Sequence, residues 1–182
     1  MNLLIRKGLK EDAKGVVEVN TYTWLSTYKG LIPDEILNNR LNTMNERISK
    51  IEQEIRENDN LYVALDNDKI VGIMSYGKSR NEQYLNSGEI YSIYVLDEYQ
   101  GYGLGKMLFM TGIRELINKG YNTMIINVLD GNKAIHFYEK YGGVNVGNKC
   151  DSIGAIKITE QIMYFDDLNN IYNSFNEKKL NV

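Results

Sequence analysis

The run Gln100-Gly101-Tyr102-Gly103-Leu104-Gly105-Lys106 follows a strand-like segment, Ile90 to Leu96. Three alternating glycines let the backbone turn tightly and come close to a ligand, because no Cβ stands in the way. A turn of this kind feeding a helix aims several backbone N–H groups, and the positive end of the helix dipole, at one point. That chemistry binds phosphate. The nucleoside-triphosphate loop is excluded, since it needs Lys and then Ser or Thr after its second glycine, and Met107 follows Gly105-Lys106 here. The dinucleotide fingerprint needs G-x-G-x-x-G in an early βαβ unit. This chain has G-x-G-x-G past its midpoint. Asp130, after the next strand-like run Thr123 to Val128, is a partial match that does not restore the glycine spacing.

Further candidates lie on both sides of the turn. On a helix starting after Asn132, residues Ala134, Phe137, Tyr138 and Tyr141 share one face, while His136, Glu139 and Lys140 point elsewhere. Tyr138 there is either a proton donor or a tyrosine packed with its hydroxyl satisfied. Glu89 heads a strand and alternates onto one face with Tyr91, Ile93 and Val95. It is either a base or an edge carboxylate in solvent. Asn132 is placed to cap its helix. Lys106 either assists the phosphates or is an exposed helix lysine, and Glu98 reads as a solvated loop charge. His136 and Cys150 are the single histidine and cysteine, and no nucleophile motif surrounds the cysteine. No residues show metal-ligand spacing, so no metal site is expected.

Val95-Leu96-Asp97-Glu98-Tyr99-Gln100-Gly101-Tyr102-Gly103-Leu104-Gly105 resembles the coenzyme A pyrophosphate loop of the GNAT superfamily of N-acetyltransferases. Asn132-Lys133-Ala134-Ile135-His136-Phe137-Tyr138-Glu139-Lys140-Tyr141-Gly142 is similar to that family's second cofactor segment, in the same order and with one strand between. The resemblance covers about Leu61 to Gly143. It implies acetyl-CoA as the acetyl donor, cradled by Gln100, Gly101, Tyr102, Gly103, Leu104, Gly105 and Lys106. The backbone at Tyr94 and Val95 would bond the pantetheine arm, and Asn132 would contact the cofactor. Tyr138 would protonate the departing thiolate and Glu89 would act as base, directly or through water. Two departures are visible. Asn132 stands two residues before Ala134 where the family has three, and Gly143 replaces a phenylalanine that packs where the next strand begins.

The acceptor implied is a primary amine of a small molecule or a peptide, attacked in a ternary complex. The rival reading from another class is a non-catalytic acyl-CoA-binding sensor or regulatory module. Trp24, Tyr22, Tyr28 and Tyr84 fall in segments that line the acceptor pocket in this family, and a homodimer is a family expectation.

At 182 residues the chain suits one well-cored domain. A net charge of −3 without basic tracts argues against nucleic acid as a partner. No run is long enough to span a bilayer, so no membrane partner is expected. One cysteine and an early-charged N-terminus fit a cytoplasmic location.

The elements that must position these residues follow from periodicity. Leu3 to Arg6 reads as a strand and Glu11 to Asn20 as a helix. An aromatic-rich segment from Trp24 to Ile32 leads to Pro33 and a helix Asp34 to Asn39. Met44, Ile48, Ile51 and Ile55 form an apolar stripe on a charged helix. Leu61 to Leu65 and Ile70 to Tyr76 make a hairpin. Asn81 to Ser87 is a polar loop, Glu89 to Leu96 a strand, and Leu104 to Lys119 a helix closed by Gly120. Then come a strand Thr123 to Val128, a helix Lys133 to Tyr141, and strands Val144 to Cys150 and Ile156 to Phe165. The expected architecture is α/β, a mixed and largely antiparallel central sheet flanked by helices. By resemblance the strands Glu89 to Leu96 and Thr123 to Val128 splay apart to admit the pantetheine arm. Residues 1–166 form the expected domain, and 167–182 a polar tail in which Ile171 and Phe175 either dock as a short helix or fray.

Overall fold

The structure, a computed structural model, describes residues 2–180. Its seven strands are hydrogen-bonded in the order β1-β2-β3-β4-β5-β7-β6, a mixed, mostly antiparallel sheet with helices about it, as the sequence pattern predicts. In chain order the strands are β1 (Leu3–Lys7), β2 (Leu61–Asp66), β3 (Lys69–Lys78), β4 (Gly88–Val95), β5 (Met124–Leu129), β6 (Val144–Ile153) and β7 (Ile156–Phe165). The helices are α1 (Ala13–Thr27), α2 (Asp34–Asn42), α3 (Met44–Glu57), α4 (Leu104–Asn118), α5 (Ala134–Lys140) and α6 (Leu168–Leu180). The chain divides into two compact units, one holding the residues up to Ser75 with Ser92–Phe109, the other Tyr76–Tyr91 with the residues from Met110.

In the first unit β1 and β2 run antiparallel, from Leu3 opposite Asp66 to Lys7 opposite Tyr62. The β2–β3 hairpin closes between Asp66 and Lys69, with Asn67 at φ 53°, a left-handed conformation asparagine tolerates better than most residues. Asp12 fixes the corner from β1 into α1: its carboxylate accepts the Arg6 guanidinium at 2.6 and 2.9 Å and the Leu9 N–H at 2.7 Å. Helix α1 runs seven residues past the expected end at Asn20, to Thr27. Its continuation is rich in threonines and aromatics that are poor helix formers, but Thr21 and Thr23 are buried, and packing overrides propensity. The extension matters, because it carries Trp24 on a helix rather than in a loop. The apolar stripe of α3 is half-buried, and α3 packs against α1.

In the second unit β5 pairs antiparallel with β7, from Met124 opposite Phe165 to Leu129 opposite Glu160, and β6 covers the other edge of β7. The parallel β4–β5 ladder consists of Gly88 opposite Met124 and Glu89 opposite Ile125. Helix α4 ends in a Schellman arrangement, Gly120 N–H to Ile117 O at 2.8 Å and Tyr121 N–H to Leu116 O at 3.0 Å. The same arrangement ends α5, with Gly142 N–H to Glu139 O at 3.0 Å and Gly143 N–H to Tyr138 O at 2.9 Å. The polar C-terminal segment forms α6, whose first residue, Leu168, is fully buried and donates its N–H to Asn122 O at 2.9 Å.

Gly143 is one of the two departures the sequence flags, and the packing explains it. A Cβ at this position would lie 2.7 Å from Phe165 Cζ and 3.0 Å from the Tyr138 carbonyl. The buried Phe165 ring therefore fills the volume that a side chain at 143 would occupy. Gly143→Ala is expected to destabilise the protein by about 1–3 kcal/mol through overpacking. In a double-mutant cycle read by denaturant unfolding, Phe165→Leu should recover part of that loss. Strict additivity of the two changes would refute the contact.

Candidate active site

The first unit supplies the glycine turn. A 3-10 turn at Asp97–Tyr99 leads out of β4, and Gln100 braces it: Nε2 donates to Val95 O at 3.0 Å and to Asp97 Oδ1 at 3.1 Å. The Gln100 side chain thus holds the turn in shape. Gly101 and Gly103 stand at φ 81° and 82°, conformations that side-chain-bearing residues rarely adopt, and nothing lies within 4 Å of where a Cβ would be. Gly105 is helical, without positive φ, and also faces open space. Met107 N–H donates to Gly103 O at 3.0 Å, which starts the helical ladder of α4. The N–H groups of Leu104 and Gly105 precede that ladder, the feature of a helix start that suits an anion. Leu104 buries its side chain completely, so only its backbone is available to a ligand, whereas Tyr102 is 62% exposed. Lys106 is half-buried on the first turn of α4.

The Tyr94 hydroxyl accepts Trp24 Nε1–H at 2.9 Å and lies 3.5 Å from the Tyr28 hydroxyl. The end of α1 is tied to the same turn, since Ser26 Oγ donates to Asp97 Oδ1 at 2.9 Å. Tyr22 is 50% exposed.

The second unit carries Tyr138, Asn132 and Glu89. Tyr138 is 7% exposed on α5, with the Phe137 ring edge-on at 5.3 Å. Asn132 Oδ1 accepts Ala134 N–H at 2.9 Å, so the shortened spacing produces an Asx turn that opens α5. Tyr84 stacks at 5.6 Å on Tyr164.

Glu89 is not a solvated edge carboxylate: only 1% of it is exposed. Its Oε1 accepts Arg80 Nη2 at 2.6 Å and Nε at 3.2 Å, with Asn127 Nδ2 at 3.4 Å. Its Oε2 accepts the Arg80 backbone N–H at 2.7 Å. The Arg80 guanidinium also lies over Tyr91, 4.0 Å from the ring centroid, and Tyr91 in turn donates to Lys78 O at 2.8 Å. Burial pushes the Tyr91 phenol above its ordinary range, with Arg80 opposing that rise. Both oxygens of Glu89 are thus engaged, and the carboxylate anchors the Arg80 segment to β4. Arg80 and Asn127 carry no motif, and the sequence did not single them out. Arg80→Met is expected to destabilise the protein by about 2–3 kcal/mol in denaturant unfolding, below the about 3–5 kcal/mol of a fully buried pair. The discount follows from an Arg80 side chain that is 63% exposed. An unchanged unfolding midpoint would show that the pair contributes nothing.

Among the described residues no group of three or more His, Cys, Asp or Glu is placed to hold a metal ion, and no helix is long and apolar enough to cross a membrane. Cys150 is a free, exposed thiol on β6.

A layered α/β fold with a phosphate-type glycine turn between a central strand and a helix defines a nucleotide- or coenzyme-binding class. The comparisons narrow it. The profile of the acetyltransferase (GNAT) family matches residues 21–143. An uncharacterized N-acetyltransferase of Bacillus subtilis, YuaI, is 30% identical over 165 residues, covering 90% of this chain and 93% of its own. The chain therefore belongs to the acetyltransferase (GNAT) family. Among solved structures, the PaiA N-acetyltransferase of Thermoplasma acidophilum in complex with coenzyme A is similar in fold at 23% identity, with a TM-score of 0.72 over 91% of this chain and 99% of that one. YncA of Salmonella typhimurium, with its cofactor acetyl-CoA, has a TM-score of 0.67 at 20% identity, over 93% and 95%.

Proposed function

We propose that this protein transfers the acetyl group of acetyl-CoA to a primary amine of a small molecule or peptide, in the cytoplasm. The observation that carries the reading is the turn at Gly101 and Gly103, left-handed at both glycines and open where a Cβ would stand, at the start of α4. Family membership supports it, as do the coenzyme A and acetyl-CoA bound to structural relatives. The turn holds the pyrophosphate through the backbone around Gly101 to Gly105, with Lys106 beside it, and the backbone at Tyr94 and Val95 binds the pantetheine arm. Asn132 shapes the start of α5, on which Tyr138 sits.

The reaction balances without a metal or redox partner. The free amine nitrogen attacks the thioester carbonyl carbon, a C–N bond forms, and the C–S bond breaks as the tetrahedral intermediate collapses. The nitrogen loses one proton and the thiolate gains one. Tyr138 supplies the proton to sulfur. Glu89, buried and already accepting from Arg80, would take the nitrogen's proton by relay only, through a water that reaches its carboxylate. A lysine-like amine titrates near 10.4, so the deprotonated acceptor is scarce at neutral pH and base assistance is worth having.

The test is calorimetric titration with acetyl-CoA and, in parallel, NAD, followed by an amine screen read by thiol release. Binding of acetyl-CoA alone, at about −8 kcal/mol for micromolar affinity, is the expected result. Failure to bind acetyl-CoA would overturn the reading, and binding without turnover of any amine would leave the non-catalytic sensor in its place.

A further inference from the structure

We propose that Arg40 and Arg47 bind an oxyanion carried by the acceptor, so that the amine acetylated here also bears a carboxylate or a phosphate. This rests on the acetyltransferase reading above and names its substrate class. The two guanidiniums converge on one neutral oxygen: Arg40 Nη2 and Arg47 Nη2 each donate to Asn20 Oδ1 at 2.5 Å. Arg47 Nη1 donates to Thr21 Oγ1 at 2.8 Å and to the Arg40 carbonyl at 3.4 Å. The Arg40 guanidinium carbon lies 3.6 Å from the centroid of the Trp24 ring. Its Nε is buried with no acceptor. Among the described residues neither arginine is in an ion pair.

Two like charges half withdrawn from water and sharing one amide oxygen form an unfinished arrangement. Buried charges are ordinarily paired, and each guanidinium has five N–H donors to satisfy. Burial, and then the charge of Arg47, bring Arg40 down to about 10, which still leaves it cationic at neutral pH. A planar oxyanion supplies what is missing, since it can accept two parallel N–H bonds and neutralise the pair.

A purely structural role explains the arrangement less well. One arginine bonded to Asn20 would tie α2 to α1, and the second adds repulsion. The site is also partly open: Asn20, Trp24, Tyr28, Arg40, Arg47 and Tyr94 are all half-buried rather than sealed. Tyr94 ties the site to the cofactor. Its side chain joins the Trp24 and Tyr28 cluster on which Arg40 lies, while its backbone is the proposed seat of the pantetheine arm. The phosphates of the cofactor are served by the turn beyond Gln100, which leaves the arginines for the other substrate.

Trp24 is the single tryptophan of the chain, so its emission reports on Arg40 directly. Purified full-length protein is titrated without acetyl-CoA, using matched ligands. N-acetyl-phenylalanine and N-acetyl-lysine are compared with their carboxamides, and O-phosphoethanolamine with ethanolamine. The expected result is at least tenfold tighter binding of the anionic member of a pair, the carboxylate and phosphate arms telling which oxyanion is taken. Arg40→Met and Arg47→Met should each abolish that preference, keep acetyl-CoA affinity within twofold, and leave the melting temperature in anion-free buffer unchanged or higher. Equal binding of charged and uncharged members in every pair would overturn the proposal. So would a preference that survives both substitutions, a lower melting temperature with the preference intact, or a tenfold loss of acetyl-CoA affinity, which would assign the arginines to the cofactor. Failure of the wild-type protein to bind acetyl-CoA would sink the acetyltransferase reading separately, since the Trp24 titration does not involve the cofactor.

Discussion

Gly103→Val is expected to weaken acetyl-CoA binding at least 100-fold, about 2.7 kcal/mol, while the protein stays folded. Gly103 stands at φ 82°, where a β-branched residue is an outlier, so valine would shift the local backbone or carry about 1–2 kcal/mol of strain. Either response turns the N–H groups of Leu104 and Gly105 away from their present aim. A Cβ would also enter space that is now open within 4 Å, the space proposed for the pyrophosphate. Nothing packs there, so the fold loses little. Gly105→Ala separates backbone strain from lost space, because Gly105 also faces open space but lies on α4 without positive φ, where alanine is the better helix former by up to about 1 kcal/mol. Calorimetry on both variants decides the matter. Wild-type affinity in Gly103→Val would mean that the phosphates bind elsewhere.

The contrast between these two glycines shows how much was legible in the sequence. The G-x-G-x-G spacing located the turn, the strand before it and the helix after it, because glycine demand and hydrophobic period are local signals. Hydrophobic pattern, with Pro33 marking the start of α2, locates each strand of the sheet and the helices other than α6, whose segment reads equally as a docked helix or a fraying tail. What was not legible depended on burial. The sequence ends α1 at Asn20, seven residues short, because Thr21 and Thr23 are poor helix formers whose burial the sequence does not show. Alternation puts Glu89 on β4, but its partner Arg80 lies between β3 and β4 with no pattern linking the two. Arg40 and Arg47 are separated from Asn20 by 20 and 27 residues, and only the packing of α2 and α3 against α1 brings them together. Gly143 read as a lost contact, whereas Phe165, distant in sequence, fills the gap.

Tyr138→Phe is expected to lower kcat about 100-fold and leave acetyl-CoA affinity within twofold of wild type. Phenylalanine has nearly the same volume, and Tyr138 is 7% exposed within a well-packed helix, so the fold is kept at a cost of about 1 kcal/mol for the altered hydroxyl. General acid catalysis is worth about 10²–10⁴-fold, and the thioester places this case at the low end of that range. The departing thiol titrates near 8.5 and an acceptor amine near 10.4, so expulsion of the thiolate is already favoured over return of the amine. Proton donation therefore assists a step that can proceed unaided, which limits the loss. The same reasoning fixes the pH signature: raising pH toward 8.5 makes an unprotonated thiolate a more acceptable product and should narrow the gap between variant and wild type. A non-catalytic acyl-CoA sensor would show no consequence of the substitution at all. Steady-state thiol release from pH 6.5 to 8.5, with affinity measured in parallel, separates the outcomes. An unchanged kcat across that range would remove Tyr138 from the mechanism.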